Sequence, residues 1–255
     1  MQRWKEMAGY AVVMETPSEW ISASEVQQRF MQRSRPTVSG LEYSAHCRQV
    51  HAVGGDFYDF LPLGGDKMAI AVGDASGKGL PGALMVSNVQ SSVRTASFFA
   101  AGNLPVTLDA VNRQVYESSL ADKYATLFYC VFDGRTRALR YVNAGHQPPM
   151  LIRRDGSVVM LEDGGAPVGL FPSWNYEEGV VELHAGDVIV ACTDGVTEAA
   201  NAAGEEWGIE GLRKALAERN PRGSQDIVDT IFEALDEYSN ESQSDDATVV
   251  VLRVR

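Results

Sequence analysis

Four aspartates in this chain stand beside glycines or other turn-forming residues at the ends of apolar segments. They are Asp56 in VGGDFYDF, Asp74 in AIAVGDASGKG, Asp194 in VIVACTDGVTEA and Asp245 in SDDATVVVL. A strand end holds a carboxylate rigidly, and a neighbouring glycine lets a ligand come close. Mg²⁺ and Mn²⁺ prefer such oxygen donors. If the four side chains converge, their like charges are tolerable only around bound metal, although a single Asp-Gly after a strand is usually just a turn.

Two other sites of chemistry resemble parts of these segments. GDASGKG (73–79) looks like a phosphate-binding P-loop, but three residues rather than four separate Gly73 from Gly77, and Gly79 replaces the Ser or Thr after Lys78. GGDFYDF (54–60) begins like the Gly-Gly-Asp hairpin of diguanylate cyclases and lacks its acidic-aromatic continuation. We therefore reject a nucleotide loop and give a cyclase little weight.

The segments that must position the aspartates are mostly short predicted strands. Apolar runs bounded by turn residues predict strands at 41–50, 67–73, 124–133, 138–144, 150–154 and 157–161, a hairpin at 180–192, and a closing strand at 247–254. The hairpin is predicted to turn at Ala185-Gly186. In the aspartate segments we expect a strand to precede Asp56, Asp74 and Asp194, and to follow Asp245.

Helices are predicted in pairs between these strands. One spans 80–99 with Pro81 in its first turn, a second opens at Asn103 and Pro105, and a later one is capped by Ser224. Strands joined by hairpins, with helices inserted in pairs, favour an α+β layered fold over a parallel doubly wound sheet.

The polar stretch RSRPTVSG (33–40) is the one visible joint in the chain. It divides an N-terminal extension (1–39), with a short helix and this linker, from a single domain (40–255). Ser22 and Glu25 have capping-box spacing at the start of that helix. The helix could pack on its own domain or against a second copy, so a homodimer is an open possibility.

Composition limits the classes of protein and partner. The chain has 255 residues, 45% hydrophobic, and a formal net charge of −12, so it is expected to fold and lacks the basic surface of a nucleic-acid or anionic-membrane binder. It contains no apolar run long enough for a membrane helix and no convincing signal peptide. Three cysteines without CxxC spacing indicate neither a disulfide framework nor zinc. We expect a cytoplasmic protein.

Six motifs in fixed order resemble the metal-dependent protein phosphatases (PPM, type 2C), specifically their bacterial SpoIIE/RsbU-type branch. The motifs are VGGDFYDF, GDASGKGLPGALMVS, YATLFYCVFD, LRYVNAGHQPPMLIRRDG, GDVIVACTDGVTEA and DDATVVVL. The resemblance covers about residues 20–255. It implies a four-layer αββα sandwich, in which helix pairs flank two stacked antiparallel sheets, and hydrolysis of phosphoserine or phosphothreonine with two Mn²⁺ or Mg²⁺ ions.

The resemblance also assigns roles to the aspartates. Asp74 would bridge both metals, and the carbonyl of Ala75 would bind one of them. Asp194 and Asp245 would complete the other metal, and Asp56 would hold a coordinated water at the edge. Asp74 and Asp56 are thus the expected catalytic residues. Two ions that activate a shared water need no protein nucleophile.

Some family features are missing here. Asp74-Ala75-Ser76 lacks the histidine that eukaryotic members use as a proposed general acid, and no matching arginine precedes Asp56. Lys78 is a candidate phosphate contact, although a solvated lysine is the commoner case. Asp246 is expected to support the site, and His146 to have a structural role. A non-catalytic pseudophosphatase that binds its partner therefore stays open as an alternative.

The resemblance implies particular protein partners. A phosphorylated anti-anti-sigma protein of the STAS type is the expected substrate. Regulation could come from a separate activator protein, from the helix at 20–33 or from a region outside this sequence. Because helix 80–99 begins beside Asp74 and Ala75, a partner that shifted this helix would alter metal binding.

Overall fold

The computed structural model describes residues 17–31, 35–120 and 122–255. The helices are α1 (Pro17–Met31), α2 (Leu80–Ala100), α3 (Leu104–Ser118), α4 (Asp194–Thr197), α5 (Gly208–Arg219) and α6 (Ser224–Ser239). The strands are β1 (Leu41–Arg48), β2 (Asp56–Gly64), β3 (Lys67–Ala75), β4 (Ala125–Asp133), β5 (Ala138–Ala144), β6 (Met150–Ile152), β7 (Val158–Met160), β8 (Gly164–Gly165), β9 (Gly179–Glu182), β10 (Val188–Cys192) and β11 (Ala247–Val254). Among the described helices, none combines the length and apolar character that a bilayer crossing requires.

The strands form two sheets. A five-stranded sheet has the order β1-β11-β10-β6-β7. A six-stranded sheet has the order β2-β3-β4-β5-β8, with β9 also paired to β5. The pairing of β5 with β8 is parallel and short, and the other pairings between these strands are antiparallel.

Alternating side chains show how the layers stack. In β4, Phe128 and Phe132 face the buried cluster that lies between the two sheets, whereas Leu127 and Tyr129 face the cluster under α2 and α3. The same alternation in β11 directs its side chains toward the other sheet on one face and toward α5 and α6 on the other. Both faces of β4 and β11 are covered, so each of these two strands is a continuous apolar run in the sequence. The predicted α+β fold with αββα layers is confirmed.

Helix α2 and helix α3 begin where the sequence predicts. Pro81 lies in the first turn of α2, and the side chain of Asn103 caps α3 by accepting from Val106 N at 3.3 Å. The predicted cap of α6 is wrong. Gly223 occupies the cap position, and the Ser224 hydroxyl instead lies 2.9 Å from the hydroxyl of Ser44 on β1.

The predicted hairpin at 180–192 is also wrong. A turn is present at the expected place, where Asp187 N donates to His184 O at 3.0 Å and Gly186 has φ of 98°. However, β9 pairs with β5 in one sheet, and β10 pairs with β11 and β6 in the other. The turn thus carries the chain from one layer to the next.

Helix α1 packs on its own chain. It begins at Pro17, so the predicted capping box is wrong, and Ser22 lies inside the helix with its hydroxyl donating to Ser18 O at 2.9 Å. Near the end of α1, the carbonyl of Phe30 accepts from Gln90 at 3.2 Å and from Arg94 at 3.4 Å, both on α2. The predicted linker is described only from Arg35 onward.

Candidate metal centre

Asp56 and Asp74 lie opposite each other on adjacent strands of the six-stranded sheet. They are partners in the β2–β3 register. Asp74 precedes the last residue of β3, as predicted, whereas Asp56 begins β2 instead of following a strand. Asp56 is 1% exposed, and its Oδ2 accepts from the hydroxyls of Thr193 and Thr248, each at 2.7 Å. Thr248 lies in β11 of the other sheet and Thr193 directly follows β10 of that sheet, so Asp56 is anchored across the sandwich.

Asp194 and Asp245 approach from the five-stranded sheet. Asp194 is the first residue of α4, directly after β10, and Asp245 stands just before β11. Gly195 lets these two segments come together, because a Cβ there would lie 1.9 Å from the carbonyl oxygen of Asp246. The two sheets therefore each contribute two of the four predicted aspartates.

Electrostatic effects show that the four carboxylates form one cluster. The pKa of Asp74 is raised to about 7, mainly by burial and then by the charges of Asp194, Asp245 and Asp246, against a hydrogen bond with Asp56 that lowers it. Burial and then Asp74 raise the pKa of Asp56 well above its usual value. Burial and then Asp245 raise the pKa of Asp194. Asp74 thus interacts with each of the other three aspartates.

Asp246 supports the loop before β2. Its Oδ1 accepts from Val50 N and its Oδ2 from Gly55 N, both at 2.8 Å. A Cβ at Gly54 would lie 2.1 Å from Asp246 Oδ2, so only glycine permits this approach. The carboxylate of Asp246 is engaged by backbone amides.

Backbone oxygens complete the cluster. A Cβ placed on Gly55 would lie 2.9 Å from Ala75 O, 3.2 Å from Asp74 Oδ1 and 3.2 Å from Gly77 O. Gly55 O also accepts from Ala75 N at 3.0 Å, which ties the two loops together. The carbonyl of Ala75, the predicted backbone donor, therefore lies near the carboxylate of Asp74.

These donors have the chemistry that a hard divalent cation requires, since all of them are oxygens. Within the described residues, however, no three His, Cys, Asp or Glu side chains are positioned to hold a metal ion without moving. The carboxylates are engaged by each other, by hydroxyl groups and by Lys78, whose Nζ lies 2.7 Å from Asp245 Oδ2. A cation would replace some of these contacts.

A side chain from α1 also reaches the loop before β2. Gln27 Nε2 donates to Gly54 O at 2.7 Å, and Gly54 N donates to Gln27 Oε1 at 3.0 Å. Gln49 Nε2 donates to the same Oε1 at 2.9 Å. Gln27 could not be recognised from the sequence, because no local pattern links a helical glutamine to a loop beyond the linker. Thr193 and Thr248 were missed too, although each stands within three residues of a predicted ligand.

His146 lies behind the cluster. Its Nδ1 is 3.0 Å from the hydroxyl of Thr126, the register partner of Asp74 on β4. Burial lowers the pKa of His146 to about 4, against the opposing effect of the Cys192 carbonyl. The backbone N of His146 donates to Asn143 Oδ1 at 2.7 Å. A buried neutral imidazole held this way has a structural role.

Sequence comparison identifies relatives of this chain. The family model of Stage II sporulation protein E (SpoIIE) matches residues 64–255. Phosphoserine phosphatase RsbU of Bacillus subtilis is 29% identical over 252 residues, which cover 95% of this chain and 72% of that protein. Protein IcfG of Synechocystis sp. is 28% identical over 260 residues, which cover 89% of this chain and 40% of IcfG. This chain therefore spans less than half the length of IcfG.

Solved structures share the fold. The SiaA-PP2C domain of Pseudomonas aeruginosa superposes with a TM-score of 0.81 at 22% identity, covering 100% of this chain and 99% of that one. The PP2C phosphatase domain of SpoIIE from Bacillus subtilis, solved with a fragment of its regulatory domain, gives a TM-score of 0.73 at 20% identity, with coverage of 86% and 64%. With its motifs, layered fold and family-model match, this chain belongs to the SpoIIE family, in the SpoIIE/RsbU branch of the PPM phosphatases.

Proposed function

We propose that this chain is a metal-dependent protein phosphatase that hydrolyses phosphoserine or phosphothreonine. The observation that carries the proposal is the environment of Asp74, where burial and then the charges of Asp194, Asp245 and Asp246 raise its pKa to about 7. A cluster of this kind is unfavourable by itself and becomes favourable when divalent cations neutralise it. Membership of the SpoIIE family supports the same activity.

Five residues would hold two Mn²⁺ or Mg²⁺ ions. Asp74 would bridge them, with the Ala75 carbonyl on one ion, Asp194 and Asp245 on the other, and Asp56 at the edge. When bound, such ions lower the pKa of a coordinated water and neutralise charge that develops on the phosphoryl group. No nucleophilic side chain is required.

The chain's own residues would position these groups. The hydroxyls of Thr193 and Thr248 fix one oxygen of Asp56, which leaves the other oxygen to orient a water. Asp246 holds Gly55 N and thereby sets the distance between the loop before β2 and the carbonyl of Ala75. Preorganised groups of this kind need little rearrangement during the reaction.

The proposed substrate is a phosphorylated protein of the STAS anti-anti-sigma type. RsbU, whose similarity covers 95% of this chain, is named a phosphoserine phosphatase. The outer rim of the cluster is open, with the side chains of Lys78 and Asp245 60% and 40% exposed. A phosphoserine on the surface of a folded partner can therefore reach it. A separate activator protein, which would act through α2, belongs to the same proposal.

A direct assay tests the activity. The wild-type chain should hydrolyse p-nitrophenyl phosphate and a phosphoserine STAS protein with Mn²⁺ and lose this activity in EDTA. Asp74→Asn should reduce the rate by about a thousandfold or more, because the bridging negative charge is removed. Asp155→Asn is the matched control, since Asp155 is exposed in the turn between β6 and β7. Tight binding of the phosphoprotein with no turnover would instead identify a pseudophosphatase.

A further inference from the structure

Lys78 makes a direct contact with one of the proposed metal ligands. Its Nζ lies 2.7 Å from Asp245 Oδ2 and donates to the carbonyl of Ser244 at 3.1 Å. Lys78 belongs to the loop between β3 and α2, whereas Ser244 and Asp245 belong to the segment before β11. The contact therefore spans the mouth of the cluster, from one sheet to the other.

The loop conformation presents Lys78 to the cluster. Gly77 has φ of 117° and Gly79 has φ of 66°, so the backbone is in a left-handed region on both sides of the lysine. Glycine alone adopts such angles at little cost. The chain thus turns before and after Lys78.

Charge explains why this contact is present. The cluster carries the carboxylates of Asp56, Asp74, Asp194 and Asp245. Within the described residues, Lys78 is the basic residue that forms an ion pair with one of these four, Asp245. Divalent cations that occupy the cluster would compete with a single ammonium group for Asp245. Because the ion pair is largely exposed, it is weak.

We propose that Lys78 is a phosphate-binding residue that is held on Asp245 in reserve and is released to the substrate when cations take that carboxylate. This inference rests on the proposed phosphatase function. The ammonium group sits on a flexible four-carbon stem at the open rim, 60% exposed, so it can turn from Asp245 toward a phosphoryl group beside the metals.

Two affinities distinguish this role from a permanent structural ion pair. In Lys78→Met, Mn²⁺ should bind about two- to fivefold more tightly in calorimetry without substrate, since a competitor for Asp245 is gone. Inorganic phosphate should bind the Mn²⁺-loaded variant about tenfold more weakly, the effect of losing one charge-assisted hydrogen bond. Lys78→Arg should restore most of the phosphate affinity, because the positive charge is kept.

The matched control is Lys67→Met. Lys67 forms an ion pair with Asp133 at 3.3 Å. It lies at the other end of β3, and seven residues of extended strand separate it from Asp74 by about 23 Å. It should leave both affinities unchanged. Unchanged or weaker Mn²⁺ binding by Lys78→Met, or unchanged phosphate binding, overturns the proposal. Both measurements are independent of turnover, so an inactive wild-type chain would overturn the phosphatase assignment without deciding the role of Lys78.

Discussion

The side-chain amide of Gln27 forms a reciprocal pair of hydrogen bonds with the backbone of Gly54, at 2.7 and 3.0 Å. Gln27 is only 5% exposed. Gly54 stands two residues before Asp56, so α1 is fastened to the loop that carries a proposed ligand. The N-terminal helix is thereby part of the structure that shapes the cluster.

Gln27→Ala should weaken Mn²⁺ binding by about five- to tenfold and lower the free energy of unfolding by about 1–2 kcal/mol, because both backbone groups of Gly54 lose their partner. Calorimetric titration and urea unfolding measure the two effects. Gln28→Ala is the matched control, since Gln28 is the exposed neighbour of Gln27 on α1. If both variants bind Mn²⁺ like the wild type, the contact does not control the loop.

In EDTA, the folded chain should lose stability as pH rises from about 4 to about 7. The folded protein keeps a proton on Asp74 up to a pKa of about 7, from a usual value of 3.8, whereas the unfolded chain has already released it. The stability that this proton provides is complete at low pH and is lost through that window.

Urea unfolding of Asp74→Asn and of the wild type at pH 5 and pH 8 measures this effect. The wild type should lose on the order of 2 kcal/mol more than the variant between the two values. Equal pH dependence in the two proteins would show that Asp74 is ionised across the whole range.

Gly55→Ala should impair metal binding more than it impairs folding. The added methyl group would press on Ala75 O, Asp74 Oδ1 and Gly77 O at 2.9–3.2 Å, which displaces proposed ligands. We expect at least tenfold weaker Mn²⁺ binding with a loss of stability of about 1–3 kcal/mol. Gly223→Ala is a suitable comparison, because its methyl group would meet only the Glu42 side chain at 3.3 Å. Wild-type Mn²⁺ affinity in Gly55→Ala would place the metal away from this loop.

His146 should produce a pH effect of the opposite sign. Burial lowers its pKa from 6.5 to about 4, so the unfolded chain takes up a proton in this window that the folded chain does not. Stability is therefore lost as pH falls from 6.5 toward 4.

The neutral variant His146→Gln removes this titration. Between pH 7 and pH 4.5 the wild type should lose about 2–3 kcal/mol more stability than His146→Gln. Chemical unfolding in EDTA at the two pH values tests the difference, and parallel losses in both proteins would contradict a buried neutral imidazole.

Features set by neighbouring residues could be predicted from the sequence. The predicted first turn of α2 at Pro81 and the predicted cap of α3 at Asn103 are both confirmed. The apolar runs that predict β4 and β11 are local patterns as well. The aspartates could be recognised because each stands beside turn residues at one end of a strand.

Features set by distant residues could not be predicted. The turn at Ala185-Gly186 is real, but β9 pairs with β5 and β10 pairs with β11 instead of with each other. These partners lie far away in the sequence. Likewise, Ser224 has the residue type of a cap, yet Ser44 and Glu42 engage its hydroxyl. The contacts of Gln27 and Lys78 with the site also join segments that are far apart in sequence.

The division of the aspartates between two sheets has a mechanical consequence. Asp56 and Asp74 move with one layer of the sandwich, and Asp194 and Asp245 move with the other. Cations bound among them would act as a clasp between the layers. A movement of one sheet over the other would therefore weaken cation binding. Cation binding would in turn oppose that movement, with the same coupling free energy. The position of the two layers and the occupancy of the metal centre would then report on each other.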